Sequence, residues 1–271
     1  MSERPILVLG ATGTTGRRVA ELLGAQGRPV RAASRRGRVP FDWSEPETWP
    51  GALDGAGAVY LMAPDGVAVD PEFVRLAVDQ GVRRLVLLSS RAIEEMGDER
   101  LLAAERTVRE SGAEWTVLRC DWFDQNFDEG FFRESVRAGR ITLPVGGVRQ
   151  AFVDAGDIAA VAAAALTTDG HAGRVYEVTG PRALTFGEAA EAISGAAGYP
   201  VRFQGDPEEF VREQVAAGLP EEEARGAAEA FAALRAMGDA EPSEDVLRVT
   251  GRAPRDFAAY AADAAPAWRD Y

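Results

Sequence analysis

The chain has 271 residues, is 46% hydrophobic and carries a net charge of −13 with an isoelectric point near 4.7. That length buries one large core or a core plus a smaller cap, and the charge opposes unaided binding to nucleic-acid phosphates or anionic membrane surfaces. A single cysteine, Cys120, excludes an intrachain disulfide, and a single histidine, His171, excludes a Cys/His metal site; no apolar run reaches membrane-span length and MSERPILV leads straight into a strand, so a soluble, cytoplasmic protein is expected.

In chain order, Ile6 to Leu9 read as a strand buried on both faces, and Gly10-x-x-Gly13-x-x-Gly16 opens a helix over Thr14 to Ala25. Gly10 lets the chain reverse, Gly13 lacks the Cβ that would keep a phosphate off the backbone, and Gly16 lets the helix pack on the strand. Thr12, Thr14 and Thr15 line the turn, and the free N–H groups at the positive helix end face the anion. A dinucleotide diphosphate is the ligand this pattern suits. The second strand, Val30 to Ala33, runs into Ser34-Arg35-Arg36, with no acidic residue between Glu21 and Asp42. A carboxylate there would hold the ribose 2′-hydroxyl of NADH and repel a 2′-phosphate; two guanidiniums and a hydroxyl would bind the phosphate, so NADPH is preferred over NADH.

A short third strand is expected at Arg38 to Phe41. Asp42 then either accepts from the adenine amino group beside Trp43 or caps a helix around Pro46 to Trp49. Ala58 to Met62 form the fourth strand, and Met62, Ala63 and Pro64 belong under the coenzyme. Asp70-Pro71-Glu72 starts a helix ending at Gly81. Leu85 to Leu88 form a strand that ends in Ser89-Ser90, Asp98 to Glu110 a helix, and Trp115 to Arg119 the sixth strand. This alternation specifies an α/β fold, a doubly wound parallel (Rossmann) sheet with ligands at the carboxyl ends of the strands.

Past Asp121, Trp122-Phe123-Asp124-Gln125-Asn126-Phe127 mixes aromatics and amides where a pocket wall would lie. Asp157-Ile158-Ala159 opens an alanine-rich helix, Arg174 to Val178 is a late strand, and Thr185 caps a helix to Ala197. Between Asp206 and Gly238, one or two acidic amphipathic helices carry Phe210, Val211, Val215, Phe231, Leu234 and Met237 on an apolar face that is core or substrate roof. Residues 1–150 are read as an NADP-binding Rossmann domain, and 151–271 as late Rossmann elements plus a mostly helical C-terminal cap.

GATGTTG, the Ser89-Ser90 pair, WTVLR followed by WFDQNF, FVDAGDIA at Phe152 to Ala159, VYEVTGPRALTFGEAA and the tail VTGRAPRDFAAYAADAAPAW together resemble the NmrA-like branch of the atypical short-chain dehydrogenase/reductases. Within it the chain is most similar to ergot-alkaloid-type NADPH reductases and related quinone reductases. The resemblance implies a secondary-metabolic oxidoreductase acting on a small molecule, as monomer or homodimer, with Trp122, Phe123, Asn126 and Phe152 against the substrate.

Two departures stand out. All thirty basic residues are arginine, so the Tyr-x-x-x-Lys pair of typical members cannot exist, and Leu101 to Ala104 are apolar where a related branch places a lysine. Cys120-Asp121 stands where relatives have proline. A reductase without these acids suits an iminium or imine, with Asp121 or Asp124 as an anionic wall, or a quinone or enone, with Ser90, Tyr60 or water as acid. Structural roles compete for each: a turn cap for Asp121, strand-end hydrogen bonds for Ser89 and Ser90, core for Tyr60. The alternatives in function are an NADP(H) sensor without turnover and a non-redox cyclase or isomerase.

Overall fold

The structure, a computed structural model, describes residues 4–269. Its main sheet contains β1 (Ile6–Val8), β2 (Val30–Ser34), β3 (Val39–Pro40), β4 (Ala58–Leu61), β5 (Arg84–Ser90) and β6 (Glu114–Cys120). A separate parallel pair, β7 (Arg140–Thr142) with β9 (Arg202–Gln204), brackets β8 (Arg174–Val178), which is the seventh strand of the main sheet. The order is β3-β2-β1-β4-β5-β6-β8, parallel throughout. The chain winds outward from β1 to β3 and returns to β4 on the other side of β1, so a crevice opens at the carboxyl ends of β1 and β4.

The strands are apolar on both faces because both faces are covered. Val8, Tyr60, Val86 and Leu118 point toward α1 (Thr14–Ala25), and their sequence neighbours Leu7, Val59, Leu87 and Val117 point toward α2 (Trp49–Leu53), α3 (Pro71–Asp79) and α4 (Glu99–Arg109). The helix around Pro46 to Trp49 is a 3-10 turn running into α2.

The remaining helices are α5 (Arg133–Arg137), α6 (Ala155–Thr167), α7 (Phe186–Ala197), α8 (Pro207–Ala216), α9 (Glu221–Met237), α10 (Asp245–Thr250), α11 (Phe257–Ala264) and α12 (Pro266–Arg269). Alanine-rich α6 packs closely on α1 beneath the sheet, as its small side chains allow. It starts one residue after Asp154, whose side chain caps Gly156 N–H; the Asp157 expected to open it sits in its first turn and accepts the Arg255 N–H instead. An aromatic core of Phe127, Phe132, Phe152, Phe186, Phe257 and Trp268 ties α5, α7, α11 and α12 to the segment after β6.

The acidic stretch forms two helices, α8 and α9, with a small core of their own around Phe210, Val211, Ala224 and Ala228. Leu234 joins the aromatic core, whereas Val215 and Met237 are 41% and 44% exposed and lie off the buried stripe, a correction to the pattern read from sequence. No helix among the described residues is long and apolar enough to cross a membrane.

Candidate coenzyme and substrate site

The turn after β1 shows why each glycine is there. Gly10 adopts φ +61°, and a Cβ on it would press the Met62 sulfur at 2.5 Å. A Cβ on Gly16 would overlap the Gly10 carbonyl and come within 2.8 Å of the Leu9 oxygen. Gly13 differs: its Cβ would meet only the Gly10 oxygen, at 3.3 Å. The protein's own packing therefore demands Gly10 and Gly16, while the space left at Gly13 faces outward.

Leu9 N–H donates to Tyr60 at 3.1 Å and Ala11 N–H to Ala33 at 3.0 Å, which holds the turn between the ends of β4 and β2. Thr12 and Gly13 are exposed, Thr14 is half-buried, and Thr15 and Gly16 lie under them. Asp70, Asp98, Asp154, Thr185, Asp206 and Asp256 each cap a helix start with a side-chain oxygen. The N-cap of α1 is Gly13, which has no side-chain cap, and no acid stands in the first turn. This helix end is left for an anion, and the residues fit a dinucleotide diphosphate.

At the end of β2, the Ser34 carbonyl accepts from Gly37 and Phe41 N–H groups, closing the loop that carries Arg35 and Arg36. Both arginines are exposed and make no hydrogen bond or ion pair among the described residues, where many other arginines are paired. Asp42 Oδ1 accepts from Ser44 N–H at 2.9 Å and Ser44 Oγ at 2.8 Å, bonds that lower its pKa. It closes a local Asx turn through that one oxygen. Trp43 donates from Nε1 to the Met62 carbonyl at 3.2 Å and packs edge-on against Phe41 and Phe73, so it steadies the Met62-Ala63-Pro64 end of β4.

The candidate acids are largely committed elsewhere. Ser89 Oγ donates to Glu105 Oε1 at 2.8 Å. Glu105, on α4 and 3% exposed, also accepts from Arg119 Nε and Nη2, each at 2.9 Å, and from Arg109 at 2.8 Å. Ser90 is exposed and reaches only the Arg91 carbonyl, at 3.2 Å.

Asp121 is not a free anionic wall. Burial raises its pKa, and the opposing bonds come from Trp122 N–H at 2.8 Å, Arg91 at 3.1 Å and Ala151 N–H at 3.3 Å. Arg91 also pairs with Glu177 at 2.7 Å, bridging the carboxyl ends of β6 and β8. Asp124 is a second correction: it is fully buried and neither oxygen has a hydrogen-bond partner among the described residues. Burial, with Asp154 and Asp157 nearby, pushes its carboxyl well up, and the same burial keeps it from substrate. Tyr60 is core, its phenol raised by burial.

Half-buried Trp122 stacks on Phe132 at 6.1 Å and stands edge-on to Phe186 at 5.3 Å. Beside it, 6.1 Å away, Phe131 is 63% exposed, an aromatic wall member that sequence reading missed. Phe123 packs partly into the sheet core, and the Asn126 carbonyl accepts the Phe132 N–H. Phe152 is 2% exposed among Phe127, Phe186 and Phe257, too deep to touch a ligand, which corrects its placement against the substrate. Glu105 was also missed, although a carboxylate beside Ala104 and Val108 on the apolar face of an amphipathic helix was a signal of a buried ion pair.

Residues 10–169 match the NAD(P)H-binding family. The chain is 36% identical to the uncharacterized oxidoreductase YesF of Bacillus subtilis, across 100% of this chain and 99% of that protein. It is 34% identical to the NAD(P)H azoreductase of Xenophilus azovorans, across 94% and 96% respectively. In fold it resembles the NADPH-dependent quinone oxidoreductase of Escherichia coli solved with NADPH, with TM-score 0.73, 22% identity and coverage of 96% of this chain and 98% of that one.

Proposed function

The chain belongs to the NAD(P)H-binding family, and on that premise we propose that it is an NADPH-dependent reductase of a small organic acceptor that needs little acid from the protein: an iminium or imine, a quinone or an enone. NADPH, when bound, supplies the hydride. The amides at the start of α1 would hold its diphosphate, Ser34, Arg35 and Arg36 its 2′-phosphate, and Met62 to Pro64 would lie beneath it. Trp122 and Phe131 offer a flat acceptor a stacking surface at the carboxyl end of β6.

The observation that carries this reading is the committed state of the acids: Ser89 donates to Glu105, Asp121 pairs with Arg91, and Asp124 and Tyr60 are sealed in the core. Hydride addition to an iminium carbon forms a C–H bond and moves the π pair onto nitrogen, giving a neutral amine without a proton. A quinone takes one hydride and then one proton, which water or exposed Ser90 can provide. The relatives named for azo and quinone reduction support conjugated acceptors.

Loss of coenzyme absorbance is the assay, with cyclic iminium ions and quinones as acceptors. Turnover of either class is expected. Tight NADPH binding with no turnover across both classes would refute the reductase reading in favour of a coenzyme sensor.

A further inference from the structure

Arg17 and Arg18 lie on the first turns of α1, directly behind the anion seat. Helical side chains lean toward the N-terminus, which sets Arg18 over Thr14. The Arg18 head is seen there, donating from Nη1 to the Thr14 carbonyl at 2.8 Å. Both guanidiniums are occupied by one carboxylate. Glu129 Oε1 accepts from Arg17 Nη2 at 2.5 Å and Arg18 Nη2 at 2.7 Å, while Oε2 accepts from Arg17 Nη1 at 3.0 Å and Arg18 Nη1 at 3.2 Å.

We propose that Arg17 and Arg18 form a second clamp for the coenzyme diphosphate, that Glu129 holds this clamp closed in the free protein, and that the incoming diphosphate displaces it. The inference rests on the coenzyme reading of the Gly10 to Gly16 turn.

Three observations support it. A carboxylate brings one negative charge to two guanidiniums, whereas a diphosphate brings two, with oxygens spaced for paired donors. Asp128, the neighbouring acid, accepts from the Tyr260 hydroxyl at 2.8 Å, which ties it to α11 and leaves the bonds to both guanidiniums to Glu129. Glu129 remains an anion: burial would raise its carboxyl, but the bonds from Arg18 and Arg17 outweigh burial and hold it at about 2. A fixed negative charge therefore stands beside the helix end meant for an anion, 112 residues away in sequence from Arg17.

The test is equilibrium binding of NADPH and NADH, by calorimetry, to the wild-type protein and to Glu129→Gln, Arg17→Ala/Arg18→Ala and the triple variant. Glu129→Gln frees both guanidiniums and removes a repulsive charge, so both coenzymes should bind about fivefold tighter and by the same factor, since the diphosphate is common to them. Arg17→Ala/Arg18→Ala should weaken both alike, and Glu129→Gln added to it should recover only the part due to the lost repulsive charge, leaving binding weaker than in Glu129→Gln alone. A merely structural ion pair would lower thermal stability without tightening binding. Unchanged or weaker binding by Glu129→Gln, while the wild type binds NADPH, overturns the clamp alone. Failure of the wild type to bind either coenzyme overturns the coenzyme reading and the clamp with it.

Discussion

Ser89→Ala separates a structural hydroxyl from a catalytic one. Ser89 Oγ has one proton, and the structure gives it to Glu105 at 2.8 Å. A hydrogen bond to a charged acceptor contributes roughly 1.5–3 kcal/mol. Glu105 keeps its two bonds from Arg119 and one from Arg109, so the lower end applies and the loss is about 1.5 kcal/mol. For a chain of this size that lowers Tm by about 2–4 °C. With no proton to give the substrate, the variant should keep kcat within about threefold, because general-acid loss costs about a hundredfold or more. Thermal melting beside an NADPH-consumption assay reads both quantities. A fall in kcat of two orders of magnitude at unchanged Tm would refute the assignment and return Ser89 to the chemistry.

Arg35→Ala/Arg36→Ala should weaken NADPH at least about tenfold and NADH little, measured as Kd, because only NADPH has the 2′-phosphate; equal losses would place that phosphate elsewhere. Thr168 Oγ1 donates to Ala164 at 2.8 Å, so it accepts from His171 Nε2 at 2.9 Å, and Nδ1 accepts from the Tyr176 hydroxyl at 2.8 Å. Burial and then Arg84 lower the His171 pKa, so its contribution is present above the unfolded value and is lost as pH falls through the folded one. Tyr176→Phe should cost about 1 kcal/mol at neutral pH and flatten this acid-side decline in Tm, and a Tm profile parallel to wild type would count against it. Asp124→Asn should raise Tm at neutral pH, with a gain that grows toward alkali: the raised carboxyl stabilises the fold only below its unfolded pKa and destabilises as pH climbs. A gain that shrinks with rising pH would mean that Asp124 is a stabilised anion.

The sheet was legible because its physics is local. Apolar runs such as Ile6 to Leu9 and Leu85 to Leu88 announce strands buried on both faces, and the spacing of Gly10, Gly13 and Gly16 announces the turn. The catalytic candidates were harder to read because burial and pairing depend on distant segments. Asp124 lies three residues past Asp121, yet one is an orphan in the core and the other is held by Arg91, 30 residues away. Asp154 and Asp157 are equally able caps three apart in FVDAGDIA, and the contacts that separate their roles come from distant residues: Gln125 on Asp154 and the Arg255 N–H on Asp157. Phe152 looked like a wall because aromatics near strand ends often are, but Phe127, Phe186 and Phe257 close over it.

The ion pairs that brace this molecule share one property. From Arg119 on Glu105 to Arg91 across Asp121 and Glu177, each cation is a guanidinium, which stays protonated past the point where an ammonium would be discharged. Strong base therefore leaves these braces intact, and reagents that acylate lysine amines find no side chain to modify anywhere along the scaffold.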